Sequence, residues 1–119
     1  MRKVNIKQSL DSFADMWSPK IVGEVNDAYV KLVKFRGEFV WHKHDEEDEM
    51  FFVVEGEIVI KLRDGDVRLG RGEFVIIPRG VEHKPVAEEE AHVLLFEPKT
   101  VLNTGDVVNE LTRPELGRV

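Results

Sequence analysis

The chain has 119 residues, of which 42% are hydrophobic and 9 are glycine, the composition of one compact folded domain rather than of a disordered segment. Acidic residues outnumber basic ones 23 to 17, for a net charge of −6, the wrong balance for a protein that binds duplex nucleic acid or an anionic membrane surface. With no cysteine, disulfides, thiolate metal sites and a cysteine nucleophile are excluded. The longest apolar run, Met50 to Val54, is far short of a membrane span, so the expected location is the cytoplasm.

In chain order, the first element is a helical candidate over Ser9 to Trp17, where Leu10, Phe13 and Trp17 fall on one face and Ser18-Pro19 ends the pattern. Short apolar runs punctuated by glycine and proline follow. Ala28 to Phe35 places Val30, Leu32 and Val33 among Lys31 and Lys34, and Arg36-Gly37 stops it. After Phe39-Val40-Trp41 and a dense charged stretch come Met50 to Val54, a Glu55-Gly56 turn, and Glu57 to Leu62, which alternates with period two. Asp64-Gly65 is a hairpin signal leading into Val67 to Leu69. Phe74 to Ile77 is halted by Pro78-Arg79-Gly80, and Ala91 to Phe96 is closed by Glu97-Pro98, with Glu88-Glu89-Glu90 read as a solvated turn between them. Seven or eight closely spaced strands rich in Val, Ile and Phe predict an all-β antiparallel sandwich or barrel with one short N-terminal helical segment. The expected organisation is an N-terminal extension over 1–19, a barrel over 20–98, and an irregular C-terminal tail over 99–119 that packs on the barrel.

Three of the four histidines carry the chemistry. His42 and His44 are two apart, so on a strand both imidazoles point to one face. Glu49 follows five residues later, beyond a loop that can reverse the chain, and His83 lies just past the Pro78-Arg79-Gly80 turn. Three neutral imidazoles and one carboxylate suit one divalent transition metal, such as Fe, Mn, Zn, Ni, Cu or Co, whereas calcium and magnesium prefer more oxygen ligands. The acidic run Asp45 to Asp48 is read as a solvated loop, because the tetrad is complete without it.

The spacing Gly37-x4-His42-x-His44-x4-Glu49-x6-Gly56 resembles the first cupin motif, and Gly72-x5-Pro78-x-Gly80-x2-His83 resembles the second. The chain is similar to the small single-domain cupins often labelled mannose-6-phosphate isomerase-like. That resemblance implies a single jelly-roll barrel of antiparallel strands with a metal held inside it by His42, His44, Glu49 and His83. The first glycine stands one residue nearer His42 than in the commonest pattern, and Ala87 replaces an asparagine often found after the second-motif histidine.

Around the metal, Phe51 and Val53 share parity with Glu49 and are candidate substrate-binding residues of an apolar pocket wall, with Ile60 and Leu62 as additions. His92, alone on its strand, is a candidate acid/base group if it faces the pocket. Trp41 has the opposite parity to His42 and is expected to pack outside. Arg79 is read as a turn residue, with an anion clamp as the alternative. A divalent ion balanced by Glu49 alone retains a net positive charge and open positions, which favours a small, oxygen-rich or anionic ligand. The expected function is a metal-dependent enzyme of dioxygenase or isomerase type; the alternatives are a non-catalytic ligand-binding or sensing module and a purely structural metal. A homodimer is expected, formed through the edge of the segment Lys20 to Val25.

Overall fold

The computed structural model describes residues 1–119. Eight strands follow one short helix: α1 (Ile6–Asp11), β1 (Lys20–Val25), β2 (Ala28–Glu38), β3 (Glu49–Glu55), β4 (Glu57–Leu62), β5 (Gly65–Gly70), β6 (Phe74–Ile77), β7 (His83–Pro98) and β8 (Gly117–Arg118). All pairings are antiparallel except the short parallel contact of β8 with β1. No helix is long and apolar enough to cross a membrane.

The organiser is β7. Along one edge it pairs with β2 from Ala28↔Pro98 to Glu38↔Val86. Along the other, its first residues pair with β4 (Leu62↔His83) and its later ones with β3 (Met50↔Phe96). One strand therefore serves both layers, and the sheet rolls into a closed jelly roll. The change of partner falls at Glu88-Glu89-Glu90. These residues are strand rather than the expected turn, and they stay exposed where β7 bulges, the three of them standing opposite the single residue Arg36 of β2 between Phe35↔Ala91 and Gly37↔Ala87.

Alternation along the strands fills the interior. Val33 and Phe35 of β2, Phe51 and Val53 of β3, Ile58 and Ile60 of β4, and Ala91, Val93 and Leu95 of β7 form the main core, as a period of two requires. A smaller cluster of Leu10, Val22 and Leu32 lies on the outer side of β1 and β2, where α1 covers it.

The helix sits earlier than the apolar spacing predicts. Asn5 caps it by accepting a hydrogen bond from the Gln8 amide at 2.9 Å, and it ends at Asp11. Leu10 and Phe13 remain with the outer cluster, while Trp17 turns away into the barrel core with φ of 59°. The single helical face inferred from these three residues is thus divided between two cores.

At β1, the outer edge expected to recruit a second copy is partly occupied. Lys20 and Ile21 pair with Gly117 and Arg118 of the chain's own C-terminus.

Residues 99–116 form turns rather than strands, and they are firmly docked. The Asp106 carboxylate accepts from the Lys43 amide at 3.0 Å, and the Asp106 amide donates to the Lys43 carbonyl at 3.1 Å. Gly105, at φ of 58°, makes this approach possible: a Cβ there would stand 2.2 Å from the Lys43 carbonyl oxygen and 3.0 Å from a carbon of the His42 ring. Gly105→Ala is therefore expected to destabilise the protein by roughly 2 kcal/mol or more, combining overpacking with a strained backbone. Urea unfolding of the variant beside the parent measures this, and an unchanged midpoint would contradict the tail's close docking.

Candidate metal centre

His42 follows β2 and His83 opens β7, and a two-way backbone bridge ties them. The His42 amide donates to the His83 carbonyl at 3.0 Å, and the His83 amide returns the bond at 2.9 Å. Their rings lie 4.3 Å apart. His44, two residues on from His42, is held through its carbonyl, which accepts from the Gly80 amide at 2.8 Å. The turn carrying Gly80 is anchored by Asp48, whose carboxylate accepts from the Arg79 amide at 2.9 Å and lies 3.4 Å from the Arg79 side chain. Asp48 and Arg79 thus set the mouth of the site instead of reaching into it. Asp45 and Glu46 are exposed, in keeping with a solvated loop. Glu49 is the first residue of β3, and its even-numbered neighbours face outward while Glu49, Phe51 and Val53 face in.

His42, His44, Glu49 and His83 converge, each offering a ligand atom within 4.8 Å of the others, and all four are buried. On His42 and His83 the ring proton is directed away from the centre. A carbonyl can only accept, so the Nδ1 of His42 donates to Val40 and that of His83 to Val81, both at 2.9 Å. Their Nε2 lone pairs are left to face inward. That of His83 lies 3.3 Å from Glu49 Oε1, and His44 Nε2 lies 3.2 Å from the same oxygen with no hydrogen-bond partner. Acceptors facing acceptors in a buried cavity are costly unless a cation lies between them. The donor set fits a divalent transition metal on this ground, with the two backbone carbonyls fixing the tautomers as outer-shell partners of ligating histidines do.

Electrostatics agree. Burial, helped by the neighbouring His83, lowers the His42 pKa to about 4, so that ring is neutral and ready to ligate at physiological pH. His44 is pushed above its ordinary value: burial opposes its charge, but the Glu49 carboxylate outweighs burial. Glu49 is held well below the ordinary carboxylate range. Burial alone would raise it, and the close approach of Glu97, His44 and His83 reverses that.

Glu97 is a feature the sequence reading missed. It sits on β7 one step beyond the Met50↔Phe96 pair, beside Glu49. Its partner is Lys31 of β2, with Nζ 2.8 Å from Glu97 Oε1 and both side chains 1% exposed. Burial and the charge of Glu49 push the Glu97 carboxyl well above its usual pKa. Its parity with Val93 and Leu95 was the available signal. Its place between Phe96 and Pro98 made it look like a strand terminator.

The other candidates scatter. Phe51 lines a small cavity beside His42 and Glu49. Val53 and Ile60 are completely buried in the core but are not on that cavity's wall, because they stand deeper in the barrel than the cluster. His92 does not join the site: it shares parity with the outward residues of β7, bonds Glu90 at 2.7 Å, and borders a groove beside α1. Trp41 lies outside, beneath the guanidinium of Arg63 at 3.8 Å. Asn103, from the C-terminal tail, reaches the cavity wall without any motif to announce it.

A small antiparallel jelly roll with three histidines and a glutamate gathered inside defines a class of metal-site barrel. Comparison with known proteins gives the family: a cupin domain matches residues 29–97, and the chain belongs to that family. A cupin-2 domain containing protein from Shewanella frigidimarina superposes with a TM-score of 0.80 at 46% identity, over 81% of this chain and 94% of that one. The protein YdbB of Bacillus subtilis is 41% identical over 64 residues, 53% of this chain and 57% of its own length. A 3-hydroxyanthranilate 3,4-dioxygenase of Jannaschia sp. is 29% identical over 113 residues, 87% of this chain. The chain covers 63% of that enzyme's length.

Proposed function

We propose that the chain is a metal-dependent dioxygenase acting on a small molecule, with one divalent transition metal held by His42, His44, Glu49 and His83. The observation that carries this reading is the cluster of four buried ligand atoms within 4.8 Å, with lone pairs turned inward. The similarity to a dioxygenase across most of the chain supports the reaction class.

When bound, iron, manganese or copper would supply Lewis acidity and open positions for a substrate oxygen and for dioxygen. The chain's residues do the rest. Val40 and Val81 fix the ring orientations through the Nδ1 protons, Glu49 supplies the single negative charge, and the surrounding apolar side chains exclude water. An isomerase would also need a group to move a proton between neighbouring carbons. The cavity wall offers none outside the cluster itself: its remaining side chains are apolar or aromatic, plus the Asn103 amide. That favours oxygen chemistry.

An oxygen electrode tests the proposal. Protein loaded with iron(II) and given a panel of small oxygen-bearing substrates is expected to consume dioxygen, and isotopically labelled dioxygen should place both atoms in the product. Ligand binding with no oxygen uptake under iron, manganese or copper would contradict the reaction class and favour a binding or sensing role.

A further inference from the structure

Six aromatic rings form a closed circuit of contacts beside the cluster, and all of them but His83 line one cavity. Successive centroid distances are 5.4 Å from His42 to Phe39, 4.9 Å to Trp17, 4.4 Å to Phe35, 6.2 Å to Phe51, 6.0 Å to His83 and 4.3 Å back to His42. The cavity on this circuit is about 20 Å³, room for about one water molecule. No organic substrate enters it as it stands.

One ring differs from the other five. Phe35 and Phe51 stand on β2 and β3 and His83 on β7, and the amides of Phe39 and His42 are bonded to Pro85 and His83 of β7. Trp17 comes from residues 12–19, which have neither helix nor strand. It is held by two hydrogen bonds, from its amide to the Lys34 carbonyl at 2.8 Å and from its indole N–H to the Arg36 carbonyl at 2.9 Å. Its backbone is in the left-handed region at φ of 59°, which costs a non-glycine residue roughly 1–2 kcal/mol. Of the six rings it is the one carried by a segment that precedes the barrel strands, so its departure would move no strand; it would relieve the backbone strain and give up the two hydrogen bonds and the stacking on Phe35 and Phe39.

The wall also limits what can come in. No lysine or arginine lines the cavity. Asn103, its one polar side chain besides the cluster residues and the Trp17 N–H, already donates to the Leu111 carbonyl at 2.9 Å and accepts from the Arg113 amide at 2.7 Å. A phosphorylated or polyhydroxylated ligand would bury polar groups without partners. A flat apolar body would instead meet ring faces and edges.

We propose that Trp17 is the door of this cavity, and that the ligand it admits is a compact planar molecule with an aromatic body and one or two oxygen atoms for the metal. This rests on the metal-dependent reading above and narrows its substrate class. While the door is closed the binding-competent population is small, so the apparent affinity of any ligand is reduced by that fraction.

Catechol and tartrate serve as probes, one flat and apolar, the other hydroxylated and anionic. The full chain carrying Trp41→Phe, so that Trp17 is the sole indole, is loaded with zinc, which does no redox chemistry, and titrated with each. Catechol is expected to bind more tightly than tartrate and to shift Trp17 emission to the red as the indole moves into water. In a zinc-loaded Trp17→Ala variant, catechol should bind at least about tenfold more tightly. Binding of catechol with no change in Trp17 emission, or tighter binding of tartrate, would overturn the proposal. The emission measurement leaves Trp17 in place, so it decides the matter even where Trp17→Ala folds poorly. Turnover does not enter: a red shift in the zinc form with no oxygen uptake in the iron form would remove the dioxygenase reading and leave the door standing.

Discussion

His83→Ala is expected to lose stoichiometric metal while keeping its barrel. His83 is fully buried, at 0% exposure, and its side chain enters the cluster through Nε2. Its structural bonds to His42 run through backbone atoms that alanine retains. Structural zinc sites of four ligands contribute about 10–16 kcal/mol in all, so one ligand accounts for roughly 3 kcal/mol and its loss weakens binding by roughly a hundredfold or more. Ligand binding raises apparent stability by mass action. Added zinc should therefore raise the melting temperature of the parent and leave His83→Ala almost unmoved. A variant that responds to zinc as the parent does would place the ion elsewhere.

Glu97→Leu should be the most destabilising single change outside the cluster. It strands the Lys31 ammonium in the barrel interior, 1% exposed and without its hydrogen-bond partner, and leaving a buried charge uncompensated costs about 3–5 kcal/mol. The double replacement Lys31→Met with Glu97→Leu removes the buried ammonium together with its carboxyl partner and keeps the volume, so most of that loss should return. Urea unfolding of the two single variants and the double variant closes the cycle. Additive losses would mean that the two residues do not act as a pair. The same double variant also deprives Glu49 of its carboxyl neighbour, so comparing its zinc affinity with the parent's shows how far Glu97 assists the cluster.

Much of the candidate centre was legible because its constraints are local. A two-residue histidine spacing forces both rings to one face of an extended chain, and the Pro78-Arg79-Gly80 turn places His83 at a strand start. Each of these depends on a few neighbouring residues. The strands were legible for the same reason, since glycine and proline turns punctuate period-two apolar runs. Lys31 and Lys34 were not. Lysines three apart on a strand point to opposite faces and ordinarily reach solvent, yet both are buried, because β2 is covered on both sides: the barrel core lies on the Val33 face, and α1 with Phe13 lies on the Leu32 face. The partner that permits Lys31 there, Glu97, is 66 residues away. His92 shows the converse. As an isolated histidine on a strand it could face either way, and only the parity of its buried neighbours Ala91 and Val93 decides that it faces out. Trp17, Asn103 and Asp106 were beyond reach, since each acts where an irregular segment returns to the barrel. No periodicity encodes such a return.

The central claim is that these four side chains hold a metal, and elemental analysis of the parent, purified without added metal or a chelating affinity step, tests it most directly. About one equivalent of iron, manganese, copper, nickel, cobalt or zinc per chain is the predicted result, with the metal lost from Glu49→Ala. A chain that emerges empty and takes up none of these ions when they are supplied would contradict the account at its base.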